Sequence, residues 1–437
     1  MRLPRPTDKI FLALSSGVDS SVTASILLKQ HPAENLHPIY ITNWTPSQHP
    51  TSTAGLLGAY GKPAPASKPA PQKCHDAEFS RVEQICKHLR LPHKPLRLSF
   101  EKEYWLDVFS PMLNAYQKGW TPNPDVSCNR SIKFGALFPK LQQLAGSEDW
   151  WVATGHYARS KDGKLWRSKD RRKDQTYFLS TIPDSCLSRC LFPLGDAGLK
   201  KSEVKEKANA LAIPGWRDGE TTDESFGLCF VEPAGGFRRF LGEYLDETPG
   251  DIVVGNETRL FPEGTVLMPA PGAVVGRHEG LWHATVGEKA HMQLPQGSKE
   301  FQGRWYVSRK DIDRNTIEVV KGGDNRALFS KAMVVGDWRW LGEDAERSAL
   351  EAERGREIIE DGDVWERGLV TQFRHMQRPQ LVTDIQVLGD GEEEGTKRVR
   401  ISFKTPQKAV TLGQSAALWD GERCLGGGVI ENTEGLD

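Results

Sequence analysis

Apolar and polar positions divide the chain into two parts with different periods. In the first, short apolar runs alternate with stretches whose apolar residues recur every three or four positions. Residues 10–14 (IFLAL) are continuously apolar, and 38–42 (PIYIT), 95–98 (PLRL) and 149–153 (DWWVA) are shorter runs of the same kind. Between them Phe79, Val82, Ile85, Cys86 and Leu89 fall on one helical face, which predicts a helix over 76–90. Residues 101–117 and 131–145 predict two more. Strands alternating with helices predict an α/β domain, a parallel sheet covered on both faces. Residues 45–73 interrupt the pattern with six prolines. Such a run cannot continue a helix or a central strand, so a flexible surface insertion is expected.

Beyond about residue 225 the runs are short and alternating, separated by Gly and Pro: DIVVG, GTVLM, AVVG, HATVG, RWYVS, TIEVV and AMVVGDW, then RVRISF, AVTLG, SAALWD and GGGVI. These predict a small β-rich linker domain followed by a C-terminal β-barrel. The expected divisions are 1–225, 226–300 and 301–437. The acidic stretch 342–363 reads as a solvated helix or loop.

Composition narrows the classes. A length of 437 residues suits two to four domains. No apolar run approaches the roughly 20 residues of a spanning helix, so no membrane role is expected. Lys+Arg 57 against Asp+Glu 58 leaves a net charge of −1, so a phosphate-bearing partner needs a local basic patch. Residues 159–175 supply one, with eight Lys/Arg against three Asp/Glu. The bland reading of that run is a solvated face. Seven cysteines, an odd number without a C-x-x-C pair, argue against a disulfide framework, a zinc site or an iron–sulfur cluster. The segment 1–9 lacks the apolar core of a secretory signal; Arg2 and Arg5 ahead of Asp8 resemble a fragment of a transit peptide.

The strongest local signal is IFLALSSGVDSSVTASILLK, a buried strand, a Ser/Gly loop and a helix starting near Ser20. Backbone N–H groups at a helix N-terminus attract phosphate, Gly17 permits close approach, and Ser15, Ser16, Ser20 and Ser21 add hydroxyls. Asp19 could hold Mg²⁺ or orient the loop. No G-x-x-x-x-G-K-[ST] occurs, so a Walker-type γ-phosphoryl site is excluded. The plain alternative is a serine-rich helix cap. Among the thiols, Cys86 lies on an apolar helix face, Cys186, Cys190 and Cys424 read as structural, and Cys74 stays open. Cys128 stands among polar turn formers, whereas Cys229, between Leu228 and Phe230, reads as core from its neighbours alone.

SSGVDSS resembles the loop of the PP-loop pyrophosphatases, the adenine-nucleotide alpha hydrolase-like enzymes that cleave ATP between its α and β phosphates. TPNPDVSCNRSIKF (121–134), ATGHYAR (153–159), KDQTYFLS (173–180), FPLGD (192–196) and GLCF (227–230) then follow in the order found in tRNA-specific 2-thiouridylases. PGDIV (249–253), WYV (305–307) and AVTLGQSAALWDGERCLGGGVI (409–430) continue the match over nearly the whole chain outside the insertion.

That resemblance implies a tRNA-uridine 2-sulfurtransferase. The wobble uridine's 2-carbonyl oxygen attacks the α-phosphate of ATP, pyrophosphate leaves, and sulfur then displaces AMP. It implies ATP contacts from Ala13, Leu14, Ser15, Ser16, Gly17, Val18, Asp19, Ser20, Ile41 and Gly155, with Mg²⁺ near Asp19. Cys229 would carry a persulfide from a donor such as a cysteine desulfurase or sulfur-relay protein. Cys128 would attack that persulfide or close a disulfide with Cys229. Asn123, Pro124 and Asp125 would meet the target base, and Lys173, Asp174, Gln175, Arg374 and His375 the rest of the tRNA. Ser16 replaces the family's usual Gly, and Arg374-His375 a more usual Arg-Tyr. Family members work in mitochondria or in bacterial cytoplasm; the proline/alanine-rich insertion and the SSGVDSS loop favour a mitochondrial protein. Two other readings stay open: a PP-loop synthase that adenylates a small molecule, and a non-catalytic tRNA-binding or sulfur-carrier protein.

Overall fold

The computed structural model describes residues 3–44, 72–216, 237–256, 269–290, 298–354 and 368–436. Residues 45–71 of the expected insertion, Cys229, the strand expected at 264–268 and the boundary expected near 225 lie outside these residues; Gln72 and Lys73, of which Lys73 was also expected in the insertion, open a helix.

The N-terminal domain is a five-stranded parallel sheet, ordered β3-β2-β1-β4-β7. Its strands are β1 (Lys9–Ala13), β2 (Leu36–Thr42), β3 (Leu96–Ser99), β4 (Trp150–Ala153) and β7 (Cys190–Leu191). Ile10, Phe11 and Leu12 of β1 and all of β4 are buried, as central strands covered on both faces must be. Helix α1 (Val18–Leu27) follows β1, and α2 (Gln72–His88) precedes β3. The chain leaves β1 toward β2 on one side and reaches β4 on the other, so the order reverses between β1 and β4. A crevice opens at the carboxyl ends of strands at such a point. The helix expected over 101–117 is continuous but carries a π-turn at Trp105–Phe109, and that over 131–145 begins as a π-segment, Asn129–Ala136. Wide turns of this kind gather at functional sites.

A hairpin, β5 (Ala158–Lys161) and β6 (Lys164–Arg167), leaves the N-terminal domain and joins the sheet of the last domain through the pair Arg423–Trp166. The middle domain is a four-stranded sheet, ordered β10-β11-β8-β9, from β8 (Gly250–Val254), β9 (Val274–His278), β10 (Trp305–Asp311) and β11 (Thr316–Lys321). The last two strands lie on the barrel side of the division expected at 301, yet they hydrogen-bond within this sheet. HATVG is not a strand; a short 3₁₀ turn (Leu281–His283) and loop take its place.

The barrel consists of β12 (Phe329–Trp340), β13 (Leu369–Gln372), β14 (Gln380–Asp390), β15 (Lys397–Lys408), β16 (Ser415–Asp420) and β17 (Arg423–Glu434). It closes because β12 pairs with both β15 and β17, which leaves no exposed barrel edge. Met333, Val335, Trp338, Val399, Ile401 and Leu418 fill it. AVTLG, expected as a strand, is instead the turn between β15 and β16. Ala409 (φ 56°) and Gly413 (φ 85°) stand in left-handed backbone that no strand admits. Within the acidic stretch, residues 342–344 form a turn and Ala345–Arg354 a helix; 355–363 lie outside the described residues.

Candidate active site

After β1 the chain turns into α1 through a loop closed by its own serines. Ser20 Oγ accepts from the Ser15 amide and lies within donating reach of the Ser15 and Gly17 carbonyls, all at 3.1 Å. Ser15 Oγ accepts from the Gly17 amide (3.2 Å), and Ser21 Oγ donates to the Gly17 carbonyl (3.0 Å). The helix cap is Gly17 in extended backbone (φ −79°, ψ 154°), which has no side chain to cover the first-turn N–H groups. They remain available to an anion. Ser16 is not among the non-glycine residues with positive φ, so serine occupies the family's glycine position without left-handed strain.

Asp19 lies in the first turn of α1. Its carboxylate accepts from the Tyr157 hydroxyl (2.9 Å) and from the Lys201 ammonium (2.7 and 2.8 Å to its two oxygens). Lys201 opens the helix Lys201–Ala210. Gly155, just past β4, touches the same turn: a Cβ there would lie 2.8 Å from the Ser20 amide nitrogen and 3.2 Å from Asp19 Cβ. Beside it Thr154 Oγ1 and His156 Nδ1 are 2.8 Å apart. Burial, aided by Lys133, holds the His156 imidazole neutral down to about pH 3. Ile41, near the end of β2, is half-buried and pairs with Leu98.

One residue beyond β2, Asn43 donates its side-chain amide to Cys128 Sγ (3.7 Å). Cys128 ends the helix Pro124–Cys128 and is 6% exposed. Its surroundings are partly polar: Asn43 Oδ1 and Asn129 Oδ1 are buried without a hydrogen-bond partner. Buried acceptors of this kind cost free energy unless a donor reaches them. Asn123 caps the same helix, its Oδ1 accepting from the Val126 amide (3.4 Å). Asp125 sits in the first turn behind the buried Pro124, and burial raises its carboxyl above the ordinary range against the pull of Lys133.

The remaining sequence candidates lie at the junction with the barrel. Asp174 is buried on Arg167 (2.9 Å) and also accepts from the Ser168 amide and the Thr176 hydroxyl. Gln175 Oε1 accepts from the Tyr157 amide (2.9 Å), and Lys173 is half-exposed. Of the basic run 159–175, Arg159 and Arg171 pair with Glu422, and Lys164 with Asp344, both in the barrel domain. At least four of its eight cations are therefore engaged within the chain, while Lys161, Lys169 and Arg172 are exposed. Arg374 and His375 form an exposed loop between β13 and β14; Arg374 donates to the Lys408 and Ala409 carbonyls, and the His375 ring rests on Phe178 (4.5 Å).

Cys86, Cys186, Cys190 and Cys424 are buried thiols. Burial pushes Cys86 and Cys424 up to about 12, Cys186 to about 11, and Cys190 well above its usual value. Tyr157, Lys201 and Asn43 escaped the sequence reading. Lys201 stands 182 positions from Asp19 in an ordinary lysine-rich helix, and no local pattern marks it.

Among the described residues no cluster of three or more His, Cys, Asp or Glu could hold a metal by itself. Mg²⁺ commonly takes one or two carboxylates and completes its shell with phosphates and water, so Asp19 alone is compatible with it beside a nucleotide.

Residues 8–233 match the family model described as tRNA methyl transferase HUP domain. Residues 238–321 match its PRC-barrel domain, and 330–430 an aminomethyltransferase beta-barrel domain. The chain is 35% identical to the mitochondrial tRNA-specific 2-thiouridylase 1 of Schizosaccharomyces pombe, over 99% of this chain and 93% of that one. It is 34% identical to the Saccharomyces cerevisiae protein of the same name, over 100% and 94%. It is 31% identical to the tRNA-specific 2-thiouridylase MnmA of Bacillus subtilis, over 98% and 96%.

Proposed function

The chain belongs to the tRNA-specific 2-thiouridylase family, and from that premise we propose how its residues carry out ATP-dependent thiolation of a tRNA uridine. It is a tRNA sulfurtransferase with an N-terminal nucleotide domain of the PP-loop type. The loop Ala13–Ser20 cradles the ATP phosphates on the uncapped first turn of α1. Ile41 and Gly155 flank the adenine. Asp19 would be the residue that holds Mg²⁺ beside the phosphates, and the ion, when bound, would supply charge neutralisation there. Lys201 and Tyr157 hold the Asp19 carboxylate in place.

The target uridine is splayed from its loop onto Asn123, Pro124 and Asp125. Its 2-oxygen attacks the α-phosphate, the O–P bond forms, and the bond to pyrophosphate breaks. A persulfide on Cys229, loaded by a cysteine desulfurase or relay protein, supplies the sulfur. In one route its terminal sulfur attacks C2, AMP leaves, and Cys128 takes the remaining Cys229 sulfur into a disulfide. In the other, Cys128 attacks first, the disulfide forms, and released hydrosulfide attacks C2. Cys128 is enclosed, so either route requires a movement that exposes it. Lys173, Gln175, Arg374 and His375 lie toward the rest of the tRNA, and Asp174 is instead the buried partner of Arg167 behind them.

The observation that carries this reading is the meeting of the Ser15–Ser20 loop, Gly155 and the Asn43–Cys128 pair along one carboxyl edge of the sheet. The test incubates the protein with unmodified tRNA, ATP, Mg²⁺ and a persulfide source, then measures 2-thiouridine in digested RNA by mass. Wild type makes it; Asp19→Ala, Cys128→Ser and Cys229→Ser do not. Product from both cysteine variants would remove the relay, and full-rate ATP cleavage without RNA would favour a small-molecule synthase. The mitochondrion is the proposed compartment, supported by the two fungal relatives; fractionation of cells expressing the tagged full chain checks it, and a cytosolic signal alone would refute it.

A further inference from the structure

The turn 409–415 meets the segment that leads into the Cys128 helix. The Leu412 carbonyl accepts from the Thr121 amide (2.9 Å), and the Gln414 side-chain amide donates to the Thr121 carbonyl (2.8 Å). Both main-chain groups of Thr121 are thus bonded to the barrel. Gly413 makes the approach possible: a Cβ there would lie 3.0 Å from both the Thr121 nitrogen and Trp120 Cβ, and its φ of 85° is itself left-handed. Two residues on, the Ser415 carbonyl accepts from the Tyr177 hydroxyl (2.9 Å), and that hydroxyl also bonds the Asn123 side chain.

A second grip comes from the middle domain. Lys310 on β10 donates to the Gly119 carbonyl (2.7 Å), just past the end of the helix Ser110–Gln117. Gly119 (φ 75°) lies against Leu281: a Cβ would come within 3.1 Å, close enough that the Leu281 side chain would have to give way. The turn is also tied to the exposed loop between β13 and β14, because Arg374 donates to the Lys408 and Ala409 carbonyls at its start. Residues 119–123 therefore take their position from two domains that contribute nothing to the nucleotide loop.

We propose that the turn 409–415, with Lys310, positions the Asn123–Asp125 segment so that the uridine held on it is aligned to attack the α-phosphate, and that Gly413 and Lys310 therefore act on turnover rather than on RNA affinity. This rests on the thiouridylase reading, in which Asn123–Asp125 meet the target base. A segment held at three points by rigid elements keeps a reactive geometry that a free loop would lose, and a displacement of about 1 Å at such a place can cost 10²-fold in rate. Gly413 and Lys310 are positioning residues, since neither reaches the reacting atoms.

The test uses the full chain, with Gly413→Ala and Lys310→Met measured separately. The readouts are tRNA-dependent release of pyrophosphate, tRNA Kd at fixed salt, and ATP Kd. The expected result is a fall in kcat of at least tenfold in each variant, with both Kd values within twofold of wild type. Unchanged kcat, or a loss that appears entirely as weaker tRNA binding, overturns the proposal. If Gly413→Ala does not fold, Lys310→Met decides it on the same criteria. A wild-type protein without tRNA-dependent turnover would instead overturn the family function on which this stands.

Discussion

Replacing Gly155 by Ala tests whether the start of α1 holds ATP. The added methyl would sit 2.8 Å from the Ser20 nitrogen and 3.0 Å from the Asp19 carbonyl carbon, against an ordinary contact of 3.4 Å or more. The shortfall is about 0.6 Å. Both atoms are backbone, so no flexible side chain can yield; either α1 or the loop after β4 must move. Overpacking of this sort costs about 1–3 kcal/mol in stability. The same shift displaces the first-turn N–H groups and Asp19 from the phosphates, where a 1 Å error is worth up to about 10²-fold in rate. The assay is ATP affinity by titration calorimetry, followed by single-turnover pyrophosphate release with saturating tRNA. ATP Kd should rise at least tenfold and the rate should fall by one to two orders of magnitude, while tRNA Kd stays unchanged. If Gly155→Ala binds ATP as wild type does and turns over at full rate, the nucleotide does not lie on α1 and the site has been built in the wrong place.

Other outcomes follow from the same geometry. Native protein exposed to iodoacetamide at pH 8 should leave Cys86, Cys186, Cys190 and Cys424 unmodified on peptide mass analysis, because burial keeps their thiols protonated; rapid labelling at any of them would contradict the packing. Asp174→Asn strips the buried Arg167 of its counter-charge, a change that costs about 3–5 kcal/mol; the melting temperature should drop, and an unchanged melt with weaker tRNA binding would show that Asp174 serves RNA instead. Hydrogen bonds from Arg423 and Lys164 hold the Asp344 carboxyl well below its usual range. A depressed carboxyl stabilises the fold fully above its unfolded value of about 3.8–4, and that contribution fades as pH falls toward the folded value. Asp344→Asn should therefore flatten the acid side of the melting curve below about pH 4, and identical wild-type and variant slopes there would refute the linkage.

The legibility of the fold follows from periodicity. A continuous apolar run as short as 10–14, ended at once by the Ser/Gly loop, suits a strand buried on both faces, being too short for a buried helix, and the three/four spacing of Phe79 to Leu89 suits a helix. AVTLG failed because alternation cannot register a left-handed residue: Ala409 looks like a strand residue until its neighbours force φ to 56°. β10 and β11 likewise carry the same alternation as barrel strands, and only hydrogen-bond pairing assigns them to the middle sheet.

Within the site, the Ser/Gly loop was legible because its strand, turn and helix are contiguous in sequence and the chemistry is local. The residues that complete it are not. Lys201 reaches Asp19, Asn43 reaches Cys128, and Leu412 and Gln414 hold Thr121 across separations of 85 to nearly 300 positions. The basic run 159–175 shows the converse. Sequence counts its charge, but only folding reveals that Glu422 and Asp344 engage Arg159, Arg171 and Lys164. Sequence alone determined the local elements and the order of the motifs, because those depend on neighbours along the chain. The partners of each charged and reactive group were decided by tertiary structure, because an ion pair or hydrogen bond depends on distance in space.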